Sequence, residues 1–462
     1  MQYSKNKELQ VSALTKIYVW SVLFEPLLYF VILPQNITGI GANISRLFQL
    51  IVIFSLFFKV LLTMKIKFSS PFSSLNNTFA YYYIYIILIG IIGYLVGSYS
   101  YFQIEQVAND ENFFSLFVNS YHFRPFFEYF IALYYFVYFV VLAQYMLTKK
   151  EAIDYFFKWF NLLFLICIFV GFIDLLLVVL FNPEYYGLSR HIADTQYPGN
   201  RFHGIAGEPR DAFVYLILCI GILTIRDIWE DKKKLTLFWI LLILIATFLT
   251  QSFSGVLGLI FTIGLLLVFF IRKLTFKKQV LLLIVFLITI LFVYLNVMYS
   301  IRMLKYYDAI SLAYFNLSNG LELESVLIAS RNNIFPVWAL WLEVQEFNFF
   351  HLFFGNGLGS SSVINNFYFN YSGVINPNAS IVRMLYETGI IGIFLFIFIF
   401  ISPLKKLSID YKIYTKLKLL MLIMLGLYFS HRNPAPYIFF GIILAVFHYK
   451  LIGKNSNSKN EI

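Results

Sequence analysis

The segment Arg201-Phe-His-Gly-Ile-Ala-Gly-Glu208-Pro209-Arg210-Asp211 places two guanidinium groups at the mouth of an apolar run. Proline suits the first turn of a helix, and a glutamate just before it can cap free backbone N–H groups, so a helix is predicted to open at Pro209. A helix N-terminus is already electropositive, because its first N–H groups lack acceptors and the peptide dipoles add there. With Arg201 and Arg210 beside it, that end suits a phosphate or pyrophosphate. Glu208 is a candidate base, and equally a carboxylate that holds an arginine in place.

Three more places carry the same residue types. Ser330-Arg331-Asn332-Asn333 precedes Pro336, which opens an amphipathic helix with Trp338 and Trp341 that is expected to end near Phe347 and to lie on the membrane surface as a roof. The run Gly355-Asn-Gly-Leu-Gly359 follows no strand, so it reads as a turn and not as a nucleotide cradle. After Asn376-Pro-Asn-Ala-Ser380 an apolar run begins with Arg383 and Glu387, four apart and therefore on one helix face. They pair only with each other, or Arg383 reaches the same anion while Glu387 positions it. His431 and Arg432 stand in the short turn His-Arg-Asn-Pro-Ala-Pro, where a base and a phosphate contact are one reading and a plain helix end the other.

The elements that must position these residues are membrane spans. The 462 residues are 60% hydrophobic and 13% charged, with a mean hydropathy of +0.76, outside the range of soluble domains. Aromatic residues make up 20% of the chain, and many fall in long apolar runs whose rings suit lipid and headgroups. Runs of roughly 18 apolar residues are long enough to cross a bilayer as helices. About twelve are expected, at 17–34, 44–64, 78–98, 126–147, 156–181, 209–226, 235–251, 254–271, 279–299, 379–402, 416–431 and 434–450. The fold class is thus all-α and polytopic, a single membrane domain over 1–462 with two long outer loops, 182–208 and 300–378.

Cytoplasmic loops retain lysine and arginine, which sets the orientation. With the N-terminus inside, 25 of the 35 cations fall on cytoplasmic tails, loops and span ends, and ten remain outside. Both chain ends are then cytoplasmic, and the net charge of +11 follows from topology and not from a nucleic-acid partner. Nine of the ten outer cations are arginine (Arg46, Arg124, Arg190, Arg201, Arg210, Arg302, Arg331, Arg383 and Arg432), whereas 23 of the 25 inner ones are lysine. Topology does not sort arginine from lysine. A guanidinium never loses its charge and binds phosphate through two parallel hydrogen bonds, so an arginine-selective face points to an anionic ligand; arginine snorkelling to headgroups is the alternative.

Glu25 and Asp174 lie inside expected spans, where ionised groups are costly, and are read as structural pairs with an outer arginine or a tyrosine hydroxyl. Cys167 and Cys219 fall in apolar runs and read as core residues. The six histidines show no metal-ligand spacing, so no metal or other cofactor is expected. No internal repeat and no inverted pair of broken spans is visible, which argues against a transporter without excluding one.

Taken in order, these elements resemble the O-antigen polymerase and ligase superfamily of bacterial surface-polysaccharide assembly. The resemblance rests on Arg201 to Asp211, similar to that family's Arg-Gly-Glu-Pro segment before a span; on Ser330-Arg331 followed by Trp338; and on Phe354-Gly355-Asn-Gly357-Leu-Gly359 leading to Glu387-Thr-Gly389-Ile-Ile-Gly392. Gln251-Ser-Phe-Ser-Gly255 is similar to the family's Ser-Gly turn. Ligases carry a His-Asn pair shortly before the glutamate equivalent to Glu387, and here Asn378 and Ala379 stand in those places, so the polymerase branch fits better.

The resemblance implies a GT-C-like, multi-pass protein of the bacterial inner membrane. Its substrate would be undecaprenyl-pyrophosphate-linked oligosaccharide, joined on the periplasmic face without metal, with a chain-length regulator as a further partner. Arg201, Arg210, Arg331, Arg383 and Arg432 would hold the pyrophosphate, with Glu208, Glu387 or His431 as the base. A ligase, or a flippase for lipid-linked oligosaccharide, are the alternatives.

Overall fold

The computed structural model describes residues 11–27, 31–33, 42–63, 73–95, 123–181, 201–206, 209–230, 235–250, 280, 284, 287, 291, 311, 314–315, 318–320, 349–360, 380–407, 411–427 and 434–458. In chain order the helices are α1 (Ala13–Phe24), α2 (Ile44–Thr63), α3 (Ser73–Leu95), α4 (Phe123–Tyr135), α5 (Leu142–Met146), α6 (Lys150–Phe181), α7 (Pro209–Glu230), α8 (Leu235–Leu249), α9 (Phe349–Phe354), α10 (Ser380–Leu407), α11 (Tyr411–Leu427) and α12 (Pro434–Ser458). A π-helical stretch, Phe136–Val141, joins α4 to α5, and two short strands, β1 (Val31–Leu33) and β2 (Ala42–Asn43), lie between α1 and α2.

Among the described residues, five helical stretches are long and apolar enough to cross a membrane: Ile44–Thr63, Phe126–Met146, Lys150–Leu177, Asp211–Glu230 and Arg383–Leu404. Ala13–Phe24, Thr78–Gly93 and Pro434–Tyr449 are shorter apolar helices. The expected span at 254–271 and the roof helix at 336–347 lie outside the described residues.

The sidedness of α2 shows what its solvent must be. Its buried residues are Ser45, Gln49 and Val52, one stripe at helical spacing, while Phe54, Phe57, Phe58 and Leu62 are exposed, the last by 84%. A helix that turns polar groups inward and large apolar groups outward suits lipid, where every polar group must be satisfied within the protein.

The chain divides into two compact units. The first comprises Met1–Pro71, Tyr135–Gly255 and Pro434–Ile462. Here α1 packs on α2 and α6, α8 packs on α6 and α7, and α12 packs on α5, α7 and the π-helical stretch. The first helix opens with Ser12, whose hydroxyl accepts from the Thr15 N–H at 3.1 Å. It stops at Phe24, well short of the residue 34 expected from hydropathy. Pro26 has no N–H to continue the ladder, and Asn43 donates its amide to the Phe24 and Leu27 carbonyls at 2.9 Å each, taking up acceptors left over at the helix end. Val31 and Asn43 then pair across an antiparallel ladder.

The π-helical stretch meets α12 at Gly441, where a Cβ would collide with the Phe139 carbonyl oxygen. Tyr18 donates to the Tyr138 carbonyl at 3.3 Å, and the hydroxyls of Ser21 and Tyr138 bond at 2.6 Å. On α6, Phe156, Phe160 and Phe164 stack at helical spacing with planes within 11° of parallel, giving the unit an aromatic spine.

The second unit comprises Phe72–Tyr134 and Val256–Asn433. Here α10 is central, packing on α3, α9 and α11. The sequence predicts one unbroken span at 379–402, whereas α10 is interrupted at Gly389, whose φ of 65° and ψ of −177° fall in a region open essentially to glycine alone. Val280, Ile284, Leu287 and Leu291 are helical and exposed at a 4-3-4 spacing, one apolar face of the span expected at 279–299.

Candidate functional site

Of the residues singled out from sequence, Arg201, Arg383 and Glu387 have described side chains, and Arg210 is placed by its backbone as the second residue of α7. The helix opens at Pro209, as its proline predicts. Glu208, Arg331, His431 and Arg432 lie outside the described residues.

In the first unit, Arg201 is held at the end of α8. Its Nε donates to the Thr250 carbonyl at 2.9 Å, and the next residue's N–H donates to the Leu249 carbonyl at 2.8 Å. These carbonyls belong to a helix C-terminus, whose acceptors lack intrahelical partners and whose dipole end is negative, so a guanidinium is held there by charge as well as by geometry. The residues that follow are drawn inward: Phe202 is fully buried against Phe172 and Gly171, and His203, Ile205 and Ala206 are buried with it. Gly204, at φ 57°, lies close against Cys167. Residues 201–206 are therefore a packed segment that fixes Arg201 at the C-terminal end of α8.

Elsewhere in this unit Glu25 is buried and paired with Arg46 at 2.7 Å. The hydroxyl of Ser45 and the amide of Gln49 donate to the same carboxylate at 2.8 and 2.6 Å, and Arg46 donates to Gln49 at 3.0 Å. The polar stripe of α2 thus satisfies the carboxylate that ends α1.

In the second unit, Arg383 and Glu387 are both buried, at 2% and 0% exposure. Arg383 Nε donates to Glu387 Oε1 at 3.0 Å, the i,i+4 pair that their spacing allows. A third residue, Glu128 of α4, is also fully buried and stands 3.3 Å from Arg383 Nη2. Glu128 is absent from the candidates read from sequence, yet a signal was there: it is a carboxylate near the start of the apolar run 126–147, the circumstance that marked Glu25 and Asp174.

The break at Gly389 adjoins this cluster. Leaving the helix at that point frees the carbonyls of the preceding turn, and the glycine run supplies their donors. Asn356 N–H donates to the Tyr386 carbonyl at 2.9 Å, with its side-chain amide adding a contact at 3.3 Å, and Gly357 N–H donates to the Glu387 carbonyl at 2.8 Å. Tyr85 reaches from α3 to the Phe354 and Thr388 carbonyls at 3.1 and 2.9 Å.

Close approach of two backbones is what the glycines permit. A Cβ on Gly355 would lie 2.6 Å from the Glu387 carbonyl carbon and the Gly389 nitrogen, and one on Gly389 would strike the Phe353 carbonyl oxygen. The two glycine motifs, far apart in sequence, are one interlocked joint. Tyr129, next to Glu128 on α4, donates to the Ile86 carbonyl at 2.9 Å and receives Tyr83 on its own carbonyl at 3.0 Å, which ties α4 to α3 beside the joint.

His351, in the short helix α9 before the joint, is half-buried, and burial holds its imidazole pKa below the usual 6.5, partly opposed by a backbone hydrogen bond at Gly355. Among the described residues no group of three His, Cys, Asp or Glu side chains is placed to hold a metal ion. Chemically, the joint presents a guanidinium gripped by two carboxylates next to a helix end fixed by a loop, and the first unit presents a second guanidinium fixed at a helix end. No protein-family model, no curated protein and no solved structure matches this chain.

Proposed function

We propose that this chain is a membrane-embedded, metal-independent inverting glycosyltransferase that joins lipid-pyrophosphate-linked oligosaccharide repeat units into a surface polysaccharide, in the manner of an O-antigen polymerase. The observation that carries the reading is the sorting of cations: nine of the ten assigned to the outer side are arginine, against 23 lysines among the 25 assigned to the inner side. Fixed guanidinium groups suit a diphosphate because each offers two parallel donors and a permanent charge. In this reading Arg201, Arg210 and Arg331, with Arg383 and Arg432, bind the pyrophosphate of the growing chain and offset the negative charge that builds on it as the anomeric C–O bond breaks. A hydroxyl of the incoming unit attacks the anomeric carbon from the opposite face. Its proton passes to Glu208, Glu387 or His431, and the pyrophosphate leaves with the bonding pair, so one displacement inverts the centre.

The test replaces Arg201, Arg210 and Arg331 singly by lysine, in the full-length protein in its membrane, and follows polymer length on a gel. Each change keeps the charge and removes the two-pronged donor, so polymer is expected to be lost while the protein level holds; full polymer from all three variants refutes the site.

A second reading, carriage of the same lipid-linked oligosaccharide across the membrane, is favoured by one observation: α10 is broken at Gly389 beside buried charges, an arrangement that transporters use around their substrates. Proteoliposomes loaded with repeat units separate the two, since a transferase lengthens the glycan and a carrier only moves it.

A further inference from the structure

We propose that Glu128 is a positioning residue for the transfer reaction: it holds the Arg383 guanidinium, which in turn holds the Glu387 carboxylate, so that the three side chains act as one unit. The inference rests on the reading of this chain as a glycosyltransferase and names a residue that its motifs do not include.

Geometry supplies the first part. Glu387 engages Arg383 through Nε at 3.0 Å and Glu128 engages it through Nη2 at 3.3 Å. A guanidinium is a rigid plane, so a single anchor leaves it free to pivot whereas anchors at two different nitrogens fix both its place and its tilt. The first anchor is local, one helical turn away on α10. The second comes from α4, and it ties down the short first part of α10, Ser380 to Thr388, that precedes the break at Gly389. That part carries Arg383 and Glu387 and is cut off from the continuous ladder of the rest of α10.

Energetics supply the second part. Glu128 and Glu387 are at 0% exposure and Arg383 at 2%, and taking an ionised carboxylate out of water is expensive. Arg383 and Glu387 already form a neutral pair. A second buried carboxylate is therefore not needed to balance Arg383, and an uncharged side chain of the same shape at position 128 would leave that neutral pair intact. Stability and turnover must then part company on mutation. A side chain whose role is only to support the fold predicts that they fall together.

The experiment uses the full-length protein, reconstituted with lipid-linked repeat units, in five forms: parent, Glu128→Gln, Glu128→Asp, Arg383→Lys and the Glu128→Gln/Arg383→Lys double variant. Glu128→Gln is expected to melt close to the parent while kcat falls about tenfold or more, because a neutral amide no longer attracts the Arg383 guanidinium as an ion-pair partner does, with KM little changed. Glu128→Asp is expected to recover part of the turnover. The double variant is expected to lose no more than Arg383→Lys alone, because both changes break the same unit. Full turnover in Glu128→Gln overturns the proposal, as do losses that multiply in the double variant, or turnover and melting temperature that drop in step in both the Gln and Asp forms. A parent protein that extends no glycan overturns the glycosyltransferase reading and takes this inference with it, an outcome distinct from an active parent with an indifferent Glu128.

Discussion

Replacing Gly389 by alanine is the sharpest perturbation of the joint in α10. Two costs arise. An L-residue with a side chain must adopt φ 65° and ψ −177°, a region whose occupation by anything but glycine costs about 1–3 kcal/mol. The new methyl group also runs into the Phe353 carbonyl oxygen and lies 2.6 Å from the Phe354 nitrogen, and both neighbours are backbone, which cannot swing aside like a side-chain tip. Overpacking of that kind costs about 1–3 kcal/mol again, so the sum is roughly 2–6 kcal/mol.

Gly320 provides the control for the first cost alone. Its φ is 80° and a Cβ there would meet nothing within 4 Å among the described residues, so Gly320→Ala is expected to cost only about 1–2 kcal/mol of backbone strain. The assay is thermal inactivation of the detergent-solubilised full-length protein, read as the temperature at which half of the monodisperse peak survives. Gly389→Ala is expected to lower that temperature clearly more than Gly320→Ala does. Equal shifts would show that the Phe353–Gly389 contact is not tight, and would refute the interlocking of the two glycine motifs.

Further outcomes follow from the same region. Tyr85→Phe removes the donor shared by the Phe354 and Thr388 carbonyls, and leaving part-buried acceptors unmet is expected to cost about 1–3 kcal/mol in the same melting assay. For His351 the folded pKa lies below 6.5, so the folded state resists the proton that the unfolded chain accepts; the stabilisation is present above pH 6.5 and is lost as pH falls through the lowered pKa. Melting temperature is therefore expected to decline on acidification below 6.5, and His351→Gln to flatten part of that decline.

Much of the helix layout is written in hydropathy and punctuation. The apolar run at 44–64 is realised as Ile44–Thr63, and Pro209 and Pro434 each open a helix where a proline should. The early end of α1 is signalled too, by Glu25-Pro26, but a window of averaged hydropathy passes over two residues in a long apolar run. The break in α10 is harder to read. Glu387-Thr-Gly-Ile-Ile-Gly scans as an ordinary span, and nothing local says that its carbonyls will be met by Asn356 and Gly357. The pair Arg383 and Glu387 is legible because both residues sit on one helix. Glu128 joins them from another part of the chain, and a contact of that sort leaves only an unexpected carboxylate in a greasy run as its trace. Arg201 is legible as a cation near a helix start, whereas its grip on the far end of α8 is not.

The order of the joint's parts along the chain bears on how the protein is made. A half-helix that ends inside a bilayer cannot enter lipid with bare carbonyls, since each unmet group there costs several kcal/mol. Asn356, Gly357 and Tyr85 all precede Tyr386 to Thr388 in the sequence, so the ribosome delivers these donors before the acceptors they meet. The carbonyls of Tyr386 to Thr388 therefore find these donors already synthesised when they emerge.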